Sequence, residues 1–389
     1  MGFRILTLNN ISRKGLERLP RDRYEVASGI VNPDAILVRS ADMHSMEIPQ
    51  CVRAVGRAGA GTNNIPVGRL SQRGIPVFTA PGANANAVKE LVLAGLFLAA
   101  RHICESWQFV RGLTGDGESI EAAVEQGKKR FVGHELPGRT LGVVGLGAIG
   151  VEVANAAHLL GMHVLGYDPQ ITVQRAWQLS SGVEQALSLD DLFARSDFVT
   201  VHVPLTDTTR SLVNAGCLKL MRDGASLLNF ARGAIVNEAD VLAALDSGKL
   251  AAYVCDFPTP QCKDHAGVIA LPHLGASTSE AEENSAMMVA DTLRDYLEHG
   301  NIRHAVNFPE AALSRVPGTA RIAIANSNVP NMVGQISTCL AEAGLNIADL
   351  LNKSKGEVAY TLIDIDGQVP AGLIERIGAI EGVLCARAV

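Results

Sequence analysis

No two of the seven cysteines in this 389-residue chain stand as C-x-x-C, and their scatter (Cys51, Cys104, Cys217, Cys255, Cys262, Cys339, Cys385) follows no pairing pattern. An odd, dispersed set excludes a disulfide framework and a zinc framework, and points to a reduced, cytoplasmic setting with no bound metal. Long apolar runs are also missing. The longest candidate, residues 91–100, is bracketed by Glu90 and Arg101 and reads as a buried helix rather than a membrane span. The opening Gly2-Phe3-Arg4-Ile5-Leu6 turns polar too quickly for a signal peptide and reads as a first strand. Neither sign of charge dominates. With 34 basic against 40 acidic side chains the formal charge is −6, which excludes nucleic acid and anionic membranes as expected partners. Any anion bound by this chain must meet a local basic cluster.

Glycine, by contrast, is plentiful at 38 residues, and one glycine run carries more information than the rest of the chain. Residues 140–144 form a short apolar strand that enters Gly145-Leu146-Gly147-Ala148-Ile149-Gly150, and a helix-like segment follows. A second apolar run, 162–167, ends on Asp168. The order has a physical logic. Gly145 permits a tight turn, Gly147 lets backbone approach a pyrophosphate, and Gly150 lets helix and strand pack closely. N–H groups at the helix start hold phosphates, and a carboxylate after the second strand accepts ribose hydroxyls while repelling a 2′-phosphate. The cofactor expected is therefore NAD rather than NADP.

A chain of this length exceeds one compact core, so two or three domains are expected. Short apolar runs at 5–8, 35–38, 52–55 and 76–78 alternate with helix-like segments, as in a parallel sheet with crossover helices. Residues 84–101 read as a long helix, and 112–137 as a less apolar stretch. Runs at 198–202, 226–230, 252–255 and 268–271 join the two strands around the glycines to give six, the count of a doubly wound nucleotide fold. A helix over 279–298 returns from that domain. Residues 309–318 read as a linker. The last 70 or so positions follow the order βαββαβ, a ferredoxin-like unit suited to a small ligand or to pairing with a copy of itself. The domain reading is 1–93 with 279–310, then 94–278, then 320–389.

Three polar residues lie at or just past strand ends of the nucleotide domain, where such sheets place their sites. Arg232, in Asn229-Phe230-Ala231-Arg232-Gly233, suits bidentate capture of a carboxylate. His273, in Leu271-Pro272-His273-Leu274-Gly275, suits a base for a secondary alcohol because its ordinary pKa is near neutral. Asp256 follows the strand Tyr253-Val254-Cys255 and has three open readings: it reaches the nicotinamide end of the cofactor, orients the histidine, or simply ends the strand. Hydride transfer to a nicotinamide, with a 2-hydroxy acid as substrate, fits this set better than a plain alcohol.

Residues 143–150, His202-Val203-Pro204-Leu205-Thr206, residues 229–233 with Ile235-Val236-Asn237-Glu238, and residues 272–278 resemble the signatures of D-isomer-specific 2-hydroxyacid dehydrogenases. Ile36-Leu37-Val38-Arg39-Ser40 and the run 56–65 match as well. The resemblance covers nearly the full length. It implies an α/β protein with a doubly wound Rossmann-type domain, a flavodoxin-like substrate domain built from both sides of it, and a C-terminal ACT-like regulatory unit. It implies that Arg232 and His273 are catalytic. Gly145, Gly147, Ala148, Ile149, Gly150 and Asp168 are implied as NAD contacts, together with Val203, Pro204, Thr209, Ala231, Asp256, Gly275 and Ala276. Arg57 and Arg39, with Ser40 and Gly59, are implied for the substrate and its phosphate, which needs a second cation away from Arg232. Asn328 and Asn346 are implied as contacts for a serine effector. The activity implied is oxidation of 3-phospho-D-glycerate by a homodimer or homotetramer. Reduction of glyoxylate, hydroxypyruvate or another short 2-keto acid is the alternative, and a nucleotide-sensing protein on the same scaffold is a third reading.

Two departures stand out. The family pattern D-x-F-x-x-E-P places a glutamate against the histidine, whereas this chain has Asp256-Phe257-Pro258-Thr259-Pro260-Gln261, with Pro260 or Gln261 at that place by either register. Either Asp256 or Asp264 supplies the carboxylate, or the histidine works with a lower pKa. In the last unit Asn331 stands where glycine is common after proline, and asparagine tolerates the positive φ required. Lys128-Lys129-Arg130 reads as a solvated basic run or as an addition to a phosphate pocket.

Overall fold

The computed structural model describes residues 2–389, which group by contact into two compact units, 2–83 with 279–389, and 84–278. Among the described residues there are three sheets.

The first unit opens with β1 (Phe3–Leu8), β2 (Tyr24–Ala27), β3 (Ala35–Val38), β4 (Ala54–Arg57) and β5 (Val77–Phe78), all parallel in the order β2-β1-β3-β4-β5, the flavodoxin-like arrangement. Continuous burial of β3 reflects cover on both faces, which explains its unbroken Ala-Ile-Leu-Val sequence. One of those covers is the helix Ser279–His299, whose Val289 and Leu293 side chains fill the space over Gly56 that a Cβ there would occupy. β2 lacks the unbroken apolar run of its neighbours and was not expected.

The second unit carries β6 (Thr140–Val144), β7 (His163–Tyr167), β8 (Val183–Gln185), β9 (Phe198–Val201), β10 (Ala225–Asn229), β11 (Leu250–Cys255) and β12 (Val268–Ala270). All are parallel, in the order β12-β11-β10-β9-β6-β7-β8. The sheet therefore has seven strands rather than the six expected. The addition is β8, a three-residue edge strand with Glu184 and Gln185 exposed, too short and polar to leave an apolar run. The order reverses between β6 and β9, and the carboxyl ends of the strands on either side of that point carry the glycine turn, Arg232 and Asp256. The less apolar stretch contains a helix, Gly117–Gly127, whose N-cap Asp116 accepts the Ser119 N–H at 3.0 Å.

The C-terminal sheet belongs to the first unit. β13 (Thr319–Ser327), β14 (Ile347–Lys355), β15 (Val358–Asp366) and β16 (Val383–Ala388) are antiparallel in the order β14-β15-β13-β16, with helices Met332–Glu342 and Leu373–Gly378 completing βαββαβ. Those helices cover one face through Ile336, Leu340 and Ile377. The other face, with Ala323, Ala325, Tyr360 and Leu362, shares a single core with β1, β3 and the helix Ser279–His299. Arg387 donates to the carbonyls of Tyr296 and Leu297, Arg321 to that of His299, and the Tyr360 hydroxyl to that of Gly300. Cations and donors from this sheet thus cap the carbonyl end of the long helix. Residues 309–318 form no regular element, yet Ala311 pairs with Ile302 and Val316 N–H donates to Asp364, so the segment is held along its length.

Candidate active site

Each glycine of the nucleotide turn has a distinct steric reason. Gly145 sits at φ +90°, and a Cβ there would lie 2.8 Å from Val203 Cγ1 and 2.9 Å from the His202 backbone. A Cβ on Gly150 would lie 1.9 Å from the Gly145 carbonyl oxygen, so helix and strand touch at that point. Around Gly147 a Cβ would meet nothing within 4 Å, which leaves backbone bordering open space. The helix Ala148–Leu159 starts there with no side-chain cap, leaving its first N–H groups without a side-chain acceptor. Asp168 faces the turn: Oδ2 accepts the Leu146 N–H at 2.9 Å and Oδ1 the Gln170 N–H at 2.8 Å. The loop after β9 is fixed by Thr209, whose hydroxyl donates to the Pro204 carbonyl at 2.6 Å. Burial pushes the His202 imidazole down to about 3, so the ring is neutral, and its Nε2 meets Thr200 Oγ1 at 2.9 Å.

Further along the same strand ends lie Arg232, Asp256 and His273. Asn229 closes β10 by accepting the Ala231 N–H and donating to the Arg232 carbonyl at 3.0 Å, which fixes the turn presenting Arg232 to solvent. Asp256, 1% exposed, accepts the Gly275 N–H on Oδ2 at 3.2 Å, while its Oδ1 is buried with no partner. Burial raises its pKa, against the opposing pull of the Gly275 N–H, His273 and Arg232. His273 has φ +48°, unusual for a non-glycine residue, and its N–H donates to the carbonyls of Asp256 and Leu271, both at 3.1 Å. Its ring is exposed and lies 4.9 Å from the ring of Phe257. Among the described residues no hydrogen bond joins that ring to a carboxylate. Asp264 pairs with Lys263 at the surface, and Glu238 accepts the Thr259 hydroxyl at 2.6 Å. Asp256 is bonded to His273 through its backbone carbonyl, and its carboxylate feels the histidine only through charge.

In the first unit, Arg57 ends β4 and its Nε donates to Asn64 Oδ1 at 3.0 Å and to the Arg39 carbonyl at 3.1 Å. Buried Asn64 is itself tied to the Ala41 carbonyl at 2.8 Å. Gly59 has φ +153°, and a Cβ there would lie 2.7 Å from Arg57 Nη1, so a side chain at 59 would displace that guanidinium. Arg39, next to Ser40 after β3, is ion-paired with Glu282 of the helix Ser279–His299. In the C-terminal unit Asn331 takes φ +65°, as the turn requires. The amides of Asn328 and Asn346 are engaged internally, with the Gly356 carbonyl at 3.0 Å and Asp366 Oδ2 at 2.7 Å. The basic run 128–130 is also engaged: Lys128 pairs with Glu125, and the Arg130 guanidinium lies 4.6 Å from the Phe109 ring centre.

Sequence reasoning did not single out Asn64, Glu282 or Phe257. Asn64 lies in the glycine-rich run 56–65 directly after Thr62 and Asn63, so within that polar stretch nothing marks it from its neighbours. Nothing local marks Glu282, whose partner is 243 residues away.

Residues 93–275 match the family described as "D-isomer specific 2-hydroxyacid dehydrogenase, NAD binding domain". The chain is similar to a D-3-phosphoglycerate dehydrogenase of Haemophilus influenzae, 32% identical over 348 residues, covering 86% of this chain and 80% of that protein. It is also similar to a D-3-phosphoglycerate dehydrogenase of Archaeoglobus fulgidus, 36% identical over 318 residues, covering 78% of this chain. It spans 57% of the length of that second relative. Among solved structures, the apo form of Rhodotorula graminis D-mandelate dehydrogenase superposes with a TM-score of 0.67 at 24% identity, over 81% of this chain and 100% of that one. That likeness speaks for the fold. No helix among the described residues is long and apolar enough to cross a membrane.

Proposed function

The chain belongs to the D-isomer-specific 2-hydroxyacid dehydrogenase family, and on that premise we propose that it oxidises 3-phospho-D-glycerate to 3-phosphohydroxypyruvate with NAD, opening L-serine biosynthesis. The observation that carries this reading is the donor-less, buried Oδ1 of Asp256, a carboxylate that feels the charges of His273 and Arg232, at a strand end of the sheet that bears the glycine turn. A carboxamide N–H is a donor of the kind that oxygen needs, and open space at Gly147 suits a pyrophosphate. The residues therefore fit NAD, held at the turn by the 145–150 backbone and at its ribose by Asp168.

When bound, NAD supplies the hydride acceptor. Arg232 takes the substrate carboxylate in its planar fork and polarises the carbonyl that develops beside it. His273 accepts the hydroxyl proton on its imidazole, and the Asp256 carboxylate favours the imidazolium that results. Arg57, held by Asn64 and relieved by Gly59, is the cation for the phosphate.

One observation favours a second reading. Glu282, paired with Arg39, sets a carboxylate beside one of the two arginines expected at the phosphate, which suits an unphosphorylated 2-keto acid such as glyoxylate or hydroxypyruvate better than a dianion. We read serine as the effector of the C-terminal unit, supported by the Asn331 turn and by buried Asn326, whose Oδ1 has no partner. We read the protein as a homo-oligomer, supported by Trp107 and Val110, 62% and 51% exposed on the helix Ile103–Arg111, and as cytoplasmic, supported by its free cysteines. The function is tested by the kinetics of His273→Asn and Arg232→Ala: the first lowers kcat, the second raises KM and lowers kcat, and NAD affinity survives in both. Full activity in either variant overturns the reading.

A further inference from the structure

The loop after β11 lacks the glutamate that the family pattern places against the histidine, yet it is far from loose. Thr259 is fixed by three hydrogen bonds to two residues: its hydroxyl donates to Glu238 Oε1 at 2.6 Å, its N–H donates to Cys262 Sγ at 3.2 Å, and its Oγ1 accepts the Cys262 N–H at 3.2 Å. Cys262 itself is fully buried. Pro258 and Pro260 flank Thr259 and restrict the backbone on both sides. Immediately upstream, Asp256 is buried at the end of β11. Phe257 is therefore clamped between two immobile neighbours.

Its side chain is placed with equal care. A Cβ added at Gly233, the residue after Arg232, would lie 3.3 Å from Phe257 Cβ and 3.8 Å from Cγ, so the root of that side chain stands against the arginine turn. The ring of Phe257 lies beside that of His273, with centroids 4.9 Å apart and planes inclined at 51°. The His273 backbone is bonded to the carbonyl of Asp256, the residue that precedes Phe257. Two rings hung from adjacent points of one rigid corner have little freedom to part.

We propose that Phe257 is a positioning residue for His273, its ring fixing the imidazole that no carboxylate grips. This rests on the dehydrogenase reading above, in which His273 takes the substrate proton. An aromatic face favours a cation over it, so the ring both orients the imidazole and stabilises its protonated form. The Asp256 carboxylate, which feels the charges of His273 and Arg232, is left in place by a change at 257. Leucine at this position keeps apolar bulk and loses the ring, whereas tyrosine keeps both.

The test compares Phe257→Leu and Phe257→Tyr in the 389-residue chain, using 3-phospho-D-glycerate and NAD. In Phe257→Leu, kcat falls about tenfold with KM little changed, because the base is misplaced rather than the substrate released. The limb of kcat/KM that reports the histidine moves to lower pH by about half a pH unit, the loss of one modest cation–ring attraction. Phe257→Tyr restores both, and NAD affinity stays at the wild-type value throughout. An unmoved limb in Phe257→Leu, or equal losses in the leucine and tyrosine variants, overturns the proposal in favour of simple packing. If the wild type turns over no 2-hydroxy acid, the dehydrogenase reading fails by itself. Titration of 13C-labelled His273 by NMR, assigned with His273→Asn, then decides the ring contact: a lower pKa in the leucine variant alone supports it, and identical titrations reject it.

Discussion

The N–H of Gly275 donates to Oδ2 of Asp256 at 3.2 Å, while the second oxygen of that carboxylate is buried without a donor. A carboxylate so placed weakens the empty protein and strengthens the complex. Because burial raises its pKa, folding favours the protonated form, and the associated stability is lost as pH rises through the folded-state pKa. Asp256→Asn removes that titration. The stability of the variant relative to wild type, read from apo thermal melts, should therefore increase between pH 4 and 8, while NAD affinity falls about tenfold. A relative stability that is flat or falling with pH contradicts this account.

Gly150 and Gly147 are one helical turn apart and should respond oppositely to alanine. At 150 the added Cβ lies 1.9 Å from a carbonyl oxygen, so Gly150→Ala costs about 1–3 kcal/mol or prevents folding. At 147 the Cβ enters open space, so Gly147→Ala melts like wild type and loses NAD affinity about tenfold. Thermal melts and NAD titration on both variants separate the two effects.

Legibility in the sequence followed the range of the interactions. The nucleotide turn was readable because its constraints are local: a strand, three glycines and an acid, all between Thr140 and Asp168. The βαββαβ unit was readable because its strands alternate and its helices are short and regular. β2 and β8 were not, since edge strands of three or four residues with exposed polar side chains leave no periodic signal. The cap that Arg321 and Arg387 place on the helix Ser279–His299 was equally invisible, because arginine on a strand announces no partner. At the site, the absence of a glutamate was plain, but that Phe257 stands beside His273 emerged only when the loop was folded.

Arg57 and Glu282 should act oppositely on substrate choice. Arg57→Ala lowers kcat/KM for the phosphorylated acid about 50-fold, the loss of a charge-assisted contact, and leaves D-glycerate little changed. Glu282→Gln, which removes the acid paired with Arg39, shifts preference toward the phosphorylated acid by several-fold. Steady-state kinetics with both acids measures each ratio. Equal losses on both substrates in Arg57→Ala argue against a phosphate contact.

Arg321 and Asp364 are both fully buried and bonded in parallel at 2.6 and 2.8 Å. Arg321→Met leaves Asp364 as an uncompensated charge and strips the His299 carbonyl of its donor, so a loss of about 3–5 kcal/mol follows. Urea denaturation measures it. A midpoint unchanged from wild type would mean that the C-terminal sheet does not depend on this pair.

The most direct measurement is NADH formation by the wild-type protein from 3-phospho-D-glycerate, with the keto product trapped, set beside D-glycerate under the same conditions. The account predicts turnover of the phosphorylated acid with a kcat/KM at least tenfold above that for D-glycerate, the value of one well-placed cation. Turnover of D-glycerate alone would transfer the chain to the second reading. No NADH from any 2-hydroxy acid would contradict the assignment of Arg232 and His273 to hydride-transfer chemistry.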